Sequence, residues 1–175
     1  TGGPEAGVLT LDDLVSYRAM EREAIFGTYR GHTIAGPPPP ASSGVHVVEM
    51  LNILENFDVA RMGFGSVQSL ALLAETIRIA FEDRRAASGD PEFIEVPVER
   101  YTSKEYARAC LERMNQTAVS GHAPYESRDT THVTVADRDG NVVAATHTIN
   151  GLFGARIMVP GTGIIPNNYM LNYDP

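Results

Sequence analysis

Asp129-Thr130-Thr131-His132-Val133-Thr134-Val135-Ala136-Asp137-Arg138-Asp139-Gly140-Asn141-Val142-Val143-Ala144-Ala145-Thr146-His147-Thr148-Ile149-Asn150 has the pattern of two strands joined by a tight turn. Thr, His and Val in near alternation predict one strand. Asn141 to Asn150, again rich in β-branched residues, predicts another. Asp139-Gly140-Asn141 between them tolerates the positive φ that a tight reversal needs. A β-hairpin folded at Gly140 carries Thr130 and Thr148 to the same open end. On pattern alone that meeting is a cross-strand pair of good strand residues and nothing more.

Working outward on the N-terminal side, Asn115 to Arg128 is polar and carries Gly121 and Pro124, which predicts a mobile surface loop. Thr102 with Glu105 reads as a capping box opening a helix through Met114. Before it, Gly89-Asp90-Pro91 stops the longest helical pattern, which runs from Ser66 to about Arg85. Leu70, Leu73, Ile77, Ala80 and Phe81 are spaced there for burial. Its charged side, with Glu75, Arg78, Glu82, Asp83 and Arg84, reads as a solvated face. Phe57 to Gly65 is a break, punctuated by Gly63 and Gly65. A further helix begins around Ser42-Ser43-Gly44, with Val45, Val48, Met50, Leu51, Leu54 and Phe57 as its apolar face. Pro37 to Pro40 predicts an extended polyproline connector. Ala24-Ile25-Phe26 and His32-Thr33-Ile34 flank Gly27 to Gly31 and predict a second hairpin. Thr10-Leu11-Asp12-Asp13 starts a short amphipathic helix that ends near Met20.

Composition bounds the function classes. The 175 residues (19.0 kDa) are 43% hydrophobic and 21% charged, ordinary values for a globular chain with a sizeable core. A net charge of -8 argues against nucleic acid or an anionic membrane as partner, because both repel an acidic surface. No apolar run is long enough to span a bilayer. The single Cys110 excludes an internal disulfide framework and reads as a small buried hydrophobe on a helix. The opening Thr1-Gly2-Gly3-Pro4, without Met, is expected for an excised segment.

Asp-Thr-Thr-His-Val-Thr-Val-x-Asp-x-x-Gly-Asn-x-Val, then Thr148-Ile149-Asn150 and Phe153-Gly154, resembles the start of the small subunit of γ-glutamyltranspeptidases. Gly7 to Leu14, Tyr29-Arg30-Gly31, Pro37 to Gly44, Met50 to Glu55 and Gly89-Asp90-Pro91 agree with the same family, in order along nearly the whole chain. The resemblance implies an N-terminal nucleophile hydrolase made as one chain that cuts itself between Asp129 and Thr130. It implies an α+β fold, part of an αββα sandwich. Residues 1–129 would be the last part of the large subunit and 130–175 the first part of the small one. Thr130 is implied as nucleophile and Thr148 as the hydroxyl that orients it. Asn150 would help hold the α-amino and carboxylate end of a γ-glutamyl donor. Tyr169 stands where the family has glutamine, and Asn172 where it has the aspartate that pairs with the donor ammonium. Losing that carboxylate removes a charge-assisted bond and leaves strict γ-glutamyl specificity open.

The activity implied is transfer of a γ-glutamyl group, from glutathione by default, to water or to an amino acid or peptide, with no cofactor. The implied alternatives are a cephalosporin-acylase or poly-γ-glutamate-processing type of acylase, and a non-catalytic fragment. The implied partners are the donor, the acceptor and the remainder of the two subunits. The implied location is periplasmic, extracellular or bacterial cytoplasmic. The donor-gripping arginine, the paired serines and the oxyanion-hole glycines of the family fall outside these 175 residues. His132 and His147 on facing strands lack a third ligand or metal-like spacing, and His132 is expected to pack under the nucleophile strand. His32, His46 and His122 stand alone and carry no assigned role.

Overall fold

A computed structural model describes residues 10–114 and 130–169, in two units, Thr1–Ala118 and Val119–Pro175. The predicted loop over 115–128, Asp129, Asn172 and His122 lie outside the described residues. Helices and antiparallel strands are both present, so the class is α+β.

The first unit opens with α1 (Leu11–Ser16). Thr10 caps it: its hydroxyl accepts from the Asp13 N–H, and the Asp13 carboxylate accepts from the Thr10 N–H at 2.7 Å. The helix ends four residues short of Met20. None of its residues is buried, so no packing extends it beyond what the cap can hold. Strands β1 (Ile25–Tyr29) and β2 (His32–Gly36) pair antiparallel, with Tyr29 opposite His32. Their turn is only Arg30-Gly31, both at positive φ, as a two-residue hairpin loop requires. Gly27, expected in the reversal, sits inside β1. A Cβ there would lie 2.5 Å from Val48 Cγ1, so glycine lets the strand approach the next helix.

The proline run departs from an extended connector. The Ala41 N–H donates to the Pro38 carbonyl, and the chain turns. The turn brings Gly36 and Gly44 backbone to backbone: a Cβ on Gly44 would lie 2.1 Å from the Pro37 carbonyl oxygen. Helix α2 (Ser43–Leu54) then runs through the centre of the unit, followed by α3 (Val59–Met62), α4 (Val67–Ala87), α5 (Val98–Thr102) and α6 (Lys104–Met114). The core has two parts. Ile25, Val45, Val48 and Tyr101 join the first hairpin to α2 and α5, and Ile53, Ile79, Ala107 and Cys110 join α2 to α4 and α6. Cys110 is buried, as expected of a small hydrophobe.

Three helices differ from the sequence expectation. In α4 the buried row is Leu72, Thr76, Ile79, Ala80 and Asp83. Of the five residues expected inside, only Ala80 is buried; Leu70, Leu73, Ile77 and Phe81 are exposed. Both rows have helical spacing, and the row that meets the neighbouring helices is chosen by the polar partners waiting there. Asp83, expected on the solvated face, accepts from the Tyr106 hydroxyl at 2.6 Å and from Arg113 at 2.9 Å. On α2 the buried arc takes in His46, Glu49, Asn52 and Ile53, while Met50, Leu51 and Leu54 are only half-buried. Elements pack against α2 from several sides, so its buried face is wider than one apolar stripe. The capping box at Thr102 is displaced by one residue. Ser103 caps α6, its hydroxyl accepting from the Tyr106 N–H at 3.0 Å, while Thr102 ends α5.

The second unit contains β3 (Thr130–Ala136) and β4 (Val142–Thr148), antiparallel and in the register expected, Thr130 opposite Thr148 through to Ala136 opposite Val142. Residues 149–169 follow in turns and irregular structure.

Candidate active site

The geometry of the open end of the second hairpin is set at its closed end. The Gly140 backbone has φ +84°, which glycine adopts without strain. The Asp137 carboxylate closes the turn, accepting from the Asp139 and Asn141 N–H groups at 2.9 Å and from Asn141 Nδ2 at 2.7 Å. Those bonds, Asn141's foremost, hold the Asp137 carboxyl below the usual carboxylate range. The backbone adds a bond from the Asp137 N–H to the Asn141 carbonyl at 3.0 Å. A register pinned this way fixes which residues meet six pairs away.

At that far end the Thr130 hydroxyl donates to Thr148 Oγ1 at 3.2 Å. Thr148 Oγ1 also accepts the Asn150 N–H at 3.0 Å. Asn150 has φ +74°, a left-handed backbone that Asn tolerates better than most residues. The Tyr169 hydroxyl donates to the Thr148 carbonyl at 3.3 Å. Asn168 donates its N–H to the Ile149 carbonyl, accepts Asn150 Nδ2 on its own carbonyl, and accepts the Gly151 N–H on Oδ1 at 2.8 Å. Thr130, Thr148, Asn150 and Tyr169 are therefore joined in one cluster by two strand ends and a returning loop. Asn172 and Asp129 lie outside the described residues.

Chemically the pair is a hydroxyl placed against a second hydroxyl oxygen. A lone pair aimed at the Thr130 O–H draws on its proton, which is the first requirement for turning a weak nucleophile into an effective one. In the continuous chain the Thr130 nitrogen is an amide and accepts no proton. Once freed, an α-amine titrates near neutrality (about 7.7–8.0 unperturbed) and could take the proton from its own Oγ.

Facing residues of an antiparallel pair share a side, so His132 lies on the side of Thr130 and Thr148, and His147 on the other. The two cannot share a ligand. Nor does His132 pack beneath its strand. It is exposed, its Nδ1 2.7 Å from Thr146 Oγ1 and its Nε2 3.1 Å from Thr134 Oγ1. With both sides of β3 exposed, threonine hydroxyls offered the ring more than burial could.

The first unit also holds a buried polar network that the sequence pattern of apolar faces does not announce. The ligand atoms of Glu49, Asp83 and Cys110 lie within 4.8 Å of one another. His46, which stands alone in the sequence, sits with Nδ1 2.6 Å from Glu49 Oε2 and Nε2 3.1 Å from Ser88 Oγ. Burial pushes the Glu49 carboxyl up to about 7, the His46 contact opposing it and the neighbouring Asp83 adding to it. Burial also raises Asp83, but Arg113 and Tyr106 outweigh it and hold that carboxyl low. Burial raises the Cys110 thiol, which therefore keeps its proton. A guanidinium already on Asp83 and a protonated thiol make this group a poor cation site. It is a buried polar network held by the hydrogen bonds of His46 to Glu49 and of Tyr106 and Arg113 to Asp83. The i,i+3 spacing of His46 and Glu49 on α2 was the available signal.

Comparison with known proteins gives the cluster its setting. The family profile described as Gamma-glutamyltranspeptidase matches residues 2–175. The Acylase ACY 1 proenzyme of Pseudomonas sp. (strain SE83) is 56% identical over 173 residues, 97% of this chain and 31% of that protein. The Glutathione hydrolase proenzyme of Escherichia coli (strain K12) is 44% identical over 172 residues, 94% of this chain and 30% of that protein. Among solved structures, the cephalosporin acylase from Bacillus halodurans superposes with a TM-score of 0.71 at 29% identity, covering 96% of this chain and 30% of that one. The chain thus spans about a third of the length of these relatives. Among the described residues, no helix is long and apolar enough to cross a membrane. With its profile match over nearly every residue and its threonine pair at the open end of the hairpin, the chain belongs to the γ-glutamyltranspeptidase family.

Proposed function

We propose that this chain carries the nucleophile region of a self-cleaving acyltransferase that works through an acyl-enzyme on Thr130. The observation that carries the reading is the 3.2 Å contact between the Thr130 and Thr148 hydroxyls. In the processing step Thr130 Oγ attacks the Asp129 carbonyl carbon, and the Asp129–Thr130 C–N bond breaks. Water then hydrolyses the resulting ester. Residues 1–129 fall in one subunit and 130–175 in the other. The freed α-amine of Thr130 next takes the proton from its own Oγ as that oxygen attacks the donor's amide carbonyl. The amine leaves with a proton, and water or an acceptor amine releases the acyl group. Thr148 orients the nucleophile, and Asn150 with Tyr169 lies where the donor's α-carbon end binds. The remainder of the two subunits completes the site.

The first reading of the donor is a γ-glutamyl compound, with glutathione as the representative. A related acylase is the second reading, favoured by Asn172 in place of a carboxylate and by the 56% identity to a protein named an acylase. The test is to express the full-length protein and offer it γ-glutamyl and glutaryl anilides side by side. Turnover of either, with an acyl adduct on the peptide beginning at Thr130, supports the acyl-enzyme reading. Turnover that survives Thr130→Ala overturns it.

A further inference from the structure

We propose that Asn168 is a positioning residue for this site, acting on Thr148 through the turn that follows β4; the inference rests on the reading of Thr130 and Thr148 as the reacting pair. Strand β4 stops at Thr148, and the next three residues have no ladder partner among the described residues. Asn150 must nevertheless hold a left-handed backbone, φ +74°, for its N–H to reach Thr148 Oγ1 at 3.0 Å. Asparagine can adopt that backbone, but it must be held there for the N–H to keep its direction.

Asn168 holds it there. From eighteen residues away it touches three consecutive residues: the Ile149 carbonyl takes its N–H at 3.3 Å, its carbonyl takes Asn150 Nδ2 at 3.4 Å, and its Oδ1 takes the Gly151 N–H at 2.8 Å. The shortest of the three comes from the side chain and sits beyond the left-handed residue. Asn150 is thus clamped on both flanks. A Cβ on Gly151 would lie 3.0 Å from Asn168 Nδ2, so the glycine is what lets the amide come in. A neighbouring bond, from the Ala155 N–H to the Pro166 carbonyl at 2.9 Å, holds the returning loop in the same place. The Asn168 side chain therefore sets the direction of the Asn150 N–H, and that N–H fixes the Thr148 oxygen against which Thr130 rests.

The experiment uses the full-length protein and two variants of one size. Asn168→Leu removes the acceptor for the Gly151 N–H, and Asn168→Asp keeps it. Self-cleavage before Thr130 is timed by intact mass, and kcat and KM are measured on γ-glutamyl and glutaryl anilides. Asn168→Leu is expected to slow self-cleavage and lower kcat on the order of 10- to 100-fold, since misplacement of a reacting group by about 1 Å has that effect. KM should move less than about threefold, and Asn168→Asp should stay within about threefold of the parent in every rate. If the leucine variant is insoluble, Asn168→Ser, whose hydroxyl is too short to reach Gly151, takes its place with the same expectation. Parental rates in the acceptor-less variant overturn the proposal, as does equal impairment of the aspartate variant. Failure of the parent itself to cleave would instead sink the reading of Thr130, so the two failures are told apart.

Discussion

Thr130 and Thr148 stand directly opposite each other at the open end of an antiparallel hairpin, with their hydroxyl oxygens 3.2 Å apart. They are eighteen residues apart in sequence, and their meeting is decided by the turn at residues 137–141, where one carboxylate gathers three N–H donors.

That dependence makes the turn a testable lever. Asp137→Ala should slow self-cleavage of the full-length protein although Asp137 is far from the reacting atoms, because a loosened turn lets the register slip. Asp137→Asn, which keeps one acceptor oxygen, should fall between the two. The carboxyl is held below its ordinary range, so its contribution is present at neutral pH and is lost as pH falls through the folded-state value. Cleavage timed by mass across the acid range checks both the order of the variants and the direction of the pH effect.

Glu49 supplies the opposite pH signature. Its folded-state value is pushed up to about 7 from an ordinary 4.5, so its contribution to stability is complete below about 4.5 and is lost as pH rises through 7. Ionising it in the folded unit costs up to about 3 kcal/mol more than in the unfolded chain. The groups that face it are His46 on its own helix, Asp83 on α4, Tyr101 on α5 and Cys110 on α6, and Arg113 of α6 is bonded to Asp83 and to Tyr106. Denaturant titrations of Glu49→Gln should lose most of the parent's fall in stability between pH 5 and 8. A parent whose stability rises over that range would contradict the assignment.

Gly44 tests the packing of the first unit. A Cβ there would lie 2.1 Å from the Pro37 carbonyl oxygen, backbone that cannot swing aside as a side chain can. Gly44→Ala should lower stability by about 1–3 kcal/mol, the range for overpacking, despite alanine's better helix propensity. Thermal unfolding reads the difference, and a stabilised variant would contradict the close approach of Gly44 to the Pro37 carbonyl.

How much of this was legible in the sequence follows from what each signal depends on. The second hairpin could be read down to its register, because Gly140 and the alternating β-branched residues are local signals and act together. The meeting of Thr130 and Thr148 followed by counting pairs. The inward face of α4 could not be read, because Leu70, Leu73, Ile77 and Phe81 repeat with the same period as Leu72, Thr76, Ile79 and Asp83. The choice belongs to Tyr106 and Arg113, more than twenty residues away. Pro37 to Pro40 turned where extension was expected, since the packing of Gly36 on Gly44 is a tertiary contact that no proline rule contains. Asn168 was hidden for the same reason: its bonds to Ile149, Asn150 and Gly151 exist only once the loop has returned.

On the proposed function, Asn172, which lies outside the described residues, would leave the donor site without a carboxylate to pair with an α-ammonium. Asn172→Asp should therefore move the ratio of kcat/KM toward γ-glutamyl and away from glutaryl donors, by roughly the factor of 10 or more that a charge-assisted bond is worth over a neutral one. An unchanged ratio would remove Asn172 from the account of specificity.

Whether Thr130 is the nucleophile for both processing and turnover can be decided by intact mass and N-terminal sequencing of the full-length protein. The parent should give two polypeptides, one of them beginning Thr130-Thr131-His132, and Thr130→Ala a single uncut, inactive chain. A Thr130→Ala protein that still matures into the same two polypeptides would contradict that assignment.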